Sequence, residues 1–276
     1  MLKRTIFGAL YVAVIIAGIL CGQFIFLLLT LLLTTLAINE FLIMVNPPLS
    51  NPQDNGVALL LRSLDCVGGA LLAVTLWTGF LFLPGIITYI FYVFIRLIVQ
   101  LWIVNQNPLH SLANSMLSQL YIALPLSLMS IIYRISPNLL LLLFILVWVN
   151  DTFAYLSGMT FGRHKLWVRI SPKKTWEGLW GGIVMTIVVS TCCGLFAGAN
   201  FGNISPWIMA GLGLIVGVVA TLGDLVESLI KRTIGVKDSG TLIPGHGGIL
   251  DRIDSILFVI PASLIYLFFT LFANAF

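Results

Sequence analysis

Charge is scarce in this chain. Of its 276 residues only 9% are Asp, Glu, Lys or Arg, while 59% are hydrophobic. A soluble domain carries about 25% charged residues, so the composition excludes an ordinary soluble fold and reads as a polytopic α-helical membrane protein. Cysteine is scarce as well. Cys21, Cys66, Cys192 and Cys193 form no Cys-x-x-Cys pair and all lie in apolar stretches, where free thiols behave as small buried hydrophobes rather than metal or redox groups. No internal repeat or inverted symmetry relates the two halves, which argues against a transporter built from repeats. The net charge of +4 does not imply nucleic acid, because its meaning lies in which loops hold it.

A spanning helix needs about 20 predominantly apolar residues. On that measure the chain predicts an all-α protein with about nine spanning helices: Thr5–Leu20, Phe24–Met44, Val57–Trp77, Phe80–Val104, Leu112–Tyr133, Leu139–Phe161, Gly178–Ala199, Ser205–Val226 and Ile249–Phe272. The start, MLKR followed by an apolar run, has the outline of a signal peptide. A second apolar run follows almost at once, and Leu20 stands where a processing site wants a small residue. The apolar segments leave no room for a separate soluble domain. We therefore read residues 1–276 as a single membrane domain. An N-terminal helical block spans 1–135 and a catalytic helical block 136–276, with loops at 162–177 and 227–250.

Within this apolar background Asn39 and Glu40 fall near the end of the second helix, at the expected headgroup level. Arg62 and Asp65 are spaced i, i+3 and can pair on one helix face. Pro125 predicts a kink. Lys3 and Arg4 place the N-terminus in the cytoplasm by the positive-inside rule. Counting across, loops 162–177 and 227–250 are then cytoplasmic, and together with Arg252 just past the second they account for nine of the fourteen Lys and Arg residues.

Charge of both signs concentrates late in the chain. Asp224, Glu227, Asp238, Asp251 and Asp254 are five of the ten acidic residues, and Lys231, Arg232, Lys237 and Arg252 accompany them. Charged groups at membrane depth are costly and mark functional sites. Asp251 and Asp254 are i, i+3 at the start of the last helix, and Asp224 ends the helix before it, so a hairpin can gather the three carboxylates. Three unpaired carboxylates repel, and a hard divalent cation with all-oxygen ligation removes the repulsion. The alternative is a structural network in which Arg252, Lys231 and Lys237 neutralise them.

The run Pro244-Gly245-His246-Gly247-Gly248 leads into the last helix. Its glycines allow close backbone approach, and the helix N-terminus offers N–H groups to an anion. With Lys173, Lys174, Lys231, Arg232, Lys237 and Arg252 at the same level, this suggests phosphate chemistry. Contact with anionic lipid headgroups alone is the competing reading. His246 fits phosphate binding or loop fixing better than general-base work. Asp151 shares a helix face with Tyr155 and Gly158, which suits a substrate-orienting group.

The stretch from Ser228 through Lys231-Arg232, Lys237-Asp238, Gly240, Pro244, His246-Gly247-Gly248, Asp251-Arg252 and Asp254 resembles the signature of the phosphatidate cytidylyltransferases, also called CDP-diacylglycerol synthases. The resemblance reaches back through SPKKTWEG (171–178) to Asn150-Asp151. It implies transfer of a cytidylyl group from CTP to phosphatidate, giving CDP-diacylglycerol and pyrophosphate for phospholipid biosynthesis. It further implies Asp224, Asp251 and Asp254 as ligands of Mg²⁺ or Mn²⁺, with a second ion compatible, and Lys237 and His246 beside them in the catalytic set. Lys173, Lys174, Lys231, Arg232, Arg252, Gly247 and Gly248 would hold phosphates, and Asp151 and Ser228 would orient. The expected setting is the inner or plasma membrane of a bacterium, with the site facing the cytoplasm, the bilayer as partner, and a homodimer compatible with the Gly- and Ala-containing helices. A CTP-dependent lipid kinase and a cation-coupled transporter are the other classes to separate.

Overall fold

A computed structural model describes residues 2–46, 52–79, 82–103, 107–242 and 247–273. The chain is almost wholly helical. In order come α1 (Leu2–Leu20), α2 (Gln23–Val45), α3 (Pro52–Thr78), α4 (Phe82–Val99), α5 (Pro108–Ser118), α6 (Leu124–Ile135) and α7 (Pro137–Phe161). A small hairpin of β1 (Lys165–Trp167) and β2 (Ser171–Thr175) precedes α8 (Trp176–Ala197), α9 (Pro206–Ile234) and α10 (Leu250–Ala273). Among the described residues eight helical segments are long and apolar enough to cross a membrane, and Ile6–Leu20 is a shorter apolar helix. The all-α polytopic class therefore holds, and the expected count of nine is approximate.

Three helices start on the same local device. Asn107-Pro108, Ser136-Pro137 and Ser205-Pro206 each place a capping side chain before a proline in the first turn. The cap oxygen accepts an otherwise orphaned N–H from His110, Leu139 or Ile208, and proline loses nothing at a position whose N–H has no helical partner. A π-helical turn over Gln119–Ala123 lies between α5 and α6, just before Pro125.

Contacts cluster into two units, one of residues 1–131 with 238–251 and one of residues 132–237 with 252–276. Residues 238–251 thus group with the N-terminal helices and not with the stretch that precedes them in sequence.

In the first unit the expected Arg62–Asp65 pair is replaced. Arg62 Nε donates to the Ala58 carbonyl, and Asp65 instead takes Arg96, at 3.0 Å. Ser115 and Tyr92 also donate to Asp65 Oδ1, and Gln119 Nε2 donates to the Asp65 backbone carbonyl. Asp65 and Arg96 are both buried. A buried charge persists only when paired and hydrogen-bonded, and α4 and α5 supply those partners where the i, i+3 neighbour on α3 does not.

The second unit is built on close helix crossings. Gly178 and Gly182 of α8 leave no room for a side chain against Ala154 and Asn150 of α7, and Gly213 and Gly217 of α9 press on Thr186 and Ile183 of α8. Small residues let helix backbones approach where lipid offers no hydrophobic drive for association. The order of these contacts makes α7, α8 and α9 successively antiparallel. The hairpin and the C-terminal end of α9 therefore share one end of the unit.

Two loop expectations are corrected. The stretch 162–177 is the β1–β2 hairpin, and α8 already begins at Trp176. Thr175 caps it by accepting from Gly178 N, and Glu177 accepts from His164 N and faces its ring at 2.7 Å. The stretch 227–250 is helical as far as Ile234. Glu227 and Lys231 pair at i, i+4 within it, and Gly235, at φ 81°, ends the helix with its N–H on the last carbonyls.

Candidate active site

The second unit holds a cavity of about 390 Å³ at the end that carries the hairpin. Asn150, Asp151 and Tyr155 line it from α7, Lys173 and Lys174 from β2, and Thr221 and Asp224 from α9. These residues meet because the hairpin is closed at its base by Thr175 and Glu177, which turns β2 toward α9. Lys174 Nζ lies 2.7 Å from Asp224 Oδ2 and 3.4 Å from the Thr221 carbonyl. Ser228, one turn along α9, donates to the other Asp224 oxygen at 3.2 Å. Asp224 is thus held on both oxygens. Asp151 is exposed into the cavity, and Lys173 is exposed beside it.

Asn150 is almost completely buried, and its Nδ2 donates to Thr221 Oγ1 at 3.4 Å. Its Oδ1 is a buried oxygen with no hydrogen-bond partner among the described residues. That oxygen faces the α7–α8 crossing, where a methyl group added at Gly182 would come within 2.4 Å of it.

Asp254, on α10, lies near enough to Asp224, Glu227 and Asp151 for their charges to act on it. Lys231, placed by sequence among the phosphate ligands, sits 2.6 Å from Glu227, and both are buried. Arg232, Lys237 and Arg252 are exposed, and Arg232 donates to the Val236 carbonyl. A second, apolar cavity of about 330 Å³ shares Leu166, Leu179 and Thr221 with the first and adds Trp167, Trp176 and Leu222. The site therefore combines cationic and anionic groups with an apolar flank.

In the first unit, Asp251 Oδ2 accepts from Ser239 N at 3.0 Å and from Gly248 N at 2.8 Å. Gly247 takes φ 84°, a conformation open chiefly to glycine, and a side chain there would strike Asp251. His246 lies outside the described residues. Among the described residues no group of three or more His, Cys, Asp or Glu side chains forms a ready cage for a metal.

A family model described as the cytidylyltransferase family matches residues 2–270. The chain belongs to that family. A phosphatidate cytidylyltransferase of Staphylococcus aureus (strain COL) is 52% identical over 118 residues, which cover 43% of this chain and 44% of that protein. Phosphatidate cytidylyltransferases of Staphylococcus saprophyticus and Staphylococcus epidermidis are each 48% identical over 122 residues, 44% of this chain and 46% of theirs. The aligned stretch thus spans under half the length of these curated relatives.

For this cytidylyltransferase-family chain, sequence reasoning missed three participants. Asn150 was legible in part, as a lone amide next to an acid inside an apolar run. Thr221 carries no signal, because threonine is ordinary in a membrane helix. Glu40, expected near the headgroup level, is buried in the protein against Ser239, Ile249 and Leu250. Its signal was there, since an ionisable residue in a spanning segment is a site by default.

Proposed function

We propose that the chain transfers a cytidylyl group from CTP to phosphatidate, forming CDP-diacylglycerol and pyrophosphate. The observation that carries this reading is the cavity in which Lys173 and Lys174 meet Asp151 and Asp224. In the reaction an oxygen of the lipid phosphate attacks the α-phosphorus of CTP. The bond from that phosphorus to the bridging oxygen of the β-phosphate breaks, and pyrophosphate leaves with the electron pair. A phosphate monoester is already anionic at neutral pH, so no strong base is required. The chain has to bind and orient two polyanions and to offset charge on the leaving group.

Lys173 and Lys174 are the cations placed for that work, with Arg232, Lys237 and Arg252 exposed to meet incoming phosphates. Asp151 would orient a donor group of the substrate. Lys174 would exchange its partner Asp224 for a phosphate when the nucleotide enters. The adjoining apolar cavity suits an acyl chain.

Mg²⁺ belongs to this reading, with Mn²⁺ as a substitute. The donor set fits it: Asp224 and Asp254 are hard oxygen donors whose charges oppose each other in a half-buried setting. Mg²⁺ is commonly bound through one or two carboxylates together with waters and substrate phosphates, which such a pair of carboxylates would supply. When bound it would neutralise phosphate charge. The resemblance names Asp251 with them; it lies in the first unit, and its variant is tested separately below. The site would face the cytoplasm, as the distribution of Lys and Arg suggests. A homodimer would use faces other than the Gly178–Gly182 and Gly213–Gly217 stripes, which are taken up inside the unit.

The test is direct. Purified protein receives phosphatidate, Mg²⁺ and CTP labelled at the α-phosphate or, in a parallel sample, at the γ-phosphate, and the label entering the lipid fraction is measured. Cytidylate in the lipid with release of pyrophosphate supports the reading. Transfer of the γ-phosphate alone would mean a lipid kinase, and no transfer would leave the transporter class.

A further inference from the structure

We propose that Glu40 of α2 is a positioning residue that ties Ser239 and Gly240 to the start of α10 at Gly248–Leu250. The inference rests on the reaction proposed above only for its kinetic consequence. Glu40 is buried, and its carboxylate is saturated with donors from one direction. Oε1 accepts from the Ser239 hydroxyl and from Leu250 N at 3.0 Å, and Oε2 accepts from Ile249 N at 2.9 Å. Two of these are orphan N–H groups at the beginning of α10, where a negative charge is favoured by the helix dipole.

The loop is shaped to receive this carboxylate. A methyl group at Gly248 would overlap the Glu40 carboxylate, and one at Gly240 would come within 2.8 Å of it. Two glycines of the signature are therefore small because Glu40 fills the space beside them. Asp251 completes the arrangement from the other side. It accepts from Ser239 N and Gly248 N, while its own N–H donates to Ser239 Oγ at 3.3 Å. Ser239 is the shared member, bonded to both acids. Removing Glu40 would leave three donors buried without an acceptor and release the loop that carries Gly247, Gly248 and Asp251.

Glu40→Gln keeps the size but turns an amide NH₂ toward donors that need acceptors. Hydrogen exchange of the peptide covering Ser239–Asp251 is measured on the full-length protein in detergent, together with melting temperature and CDP-lipid kinetics. The expected result is exchange faster by about tenfold in that peptide, the scale set by losing a charge-assisted bond, with helices α7–α9 unchanged. In the same sample kcat falls at least about tenfold and the Mg²⁺ concentration for half-maximal rate rises. Ser239→Ala removes one bond to each acid and should give the same pattern more weakly, which keeps the test open should Glu40→Gln fail to purify. Unchanged loop exchange in both variants overturns the anchoring. Faster exchange with an unchanged kcat and Mg²⁺ dependence overturns the link to the reaction. A wild-type protein that makes no CDP-lipid refutes the reaction, and the exchange result still decides the anchoring.

Discussion

Lys174 and Asp224 meet at 2.7 Å across the second unit, one on a β-hairpin and the other near the end of α9. The pair neutralises two groups that the proposed reaction needs charged, and it marks where the nucleotide phosphates would enter. Asp224 gains a second bond from Ser228, so its carboxylate stays in place when the lysine lets go.

Lys173→Gln and Lys174→Gln should each raise the KM for CTP by about tenfold or more, as expected for loss of a charged hydrogen-bond donor. Insertion and purification should be normal for Lys173→Gln, whose side chain is exposed. Steady-state kinetics in detergent micelles check this. Unchanged kinetics without bulk anionic lipid would assign these lysines to the membrane surface instead.

Asp224→Asn, Asp251→Asn and Asp254→Asn should each lower Mg²⁺-dependent CDP-lipid formation by about 100-fold or more, since changes merely adjacent to a metal's ligands already cost about 10–100-fold. Chelation by EDTA should abolish activity of the unmodified protein, and added Mg²⁺ should restore it. A Mg²⁺ titration of the variants, with monodispersity confirming the fold, is the measurement. Near-normal rates at ordinary Mg²⁺ would leave the aspartates as a structural charge network.

Glu227→Gln is expected to act on stability. Glu227 is fully buried and Lys231 nearly so, and removing one partner of a buried pair costs about 3 kcal/mol or more. The melting temperature in detergent should drop clearly. The rate per folded molecule should change less than in the aspartate variants.

Asp65→Asn should destabilise the first unit by a similar route. Arg96 would keep a full charge with Gln100 and Ser111 as its remaining recorded partners. Asp65→Asn combined with Arg96→Met should recover part of the loss, because removing both members of a buried ion pair is less harmful than removing one. Thermal unfolding of the single and double variants reads out this coupling.

Single cysteines at the exposed positions Lys165 and Lys237, in a chain without its native cysteines, should react with an impermeant reagent only from the cytoplasmic side. Labelling from the opposite side at either position would overturn the proposed orientation.

The helical membrane class was legible because it depends on composition and local spacing. Long apolar runs must form helices in lipid, where every backbone group has to be satisfied within its own segment. The Asn-Pro and Ser-Pro helix starts are local for the same reason, as is the i, i+4 pair of Glu227 and Lys231. Asp65 shows where local reasoning ends: its sequence neighbour Arg62 was available, yet the packing of α3 against α4 supplied Arg96. The same holds for the site. The sequence marks Lys174 and Asp224 as candidates, but their contact depends on the packing of the hairpin against α9. Glu40 is the extreme case, lying 199 residues from Ser239 in the chain. Spacing along a chain predicts neighbours only within a few helical turns. Which distant segments share a buried carboxylate is settled by packing, because a buried charge must find its donors wherever the folded backbone brings them.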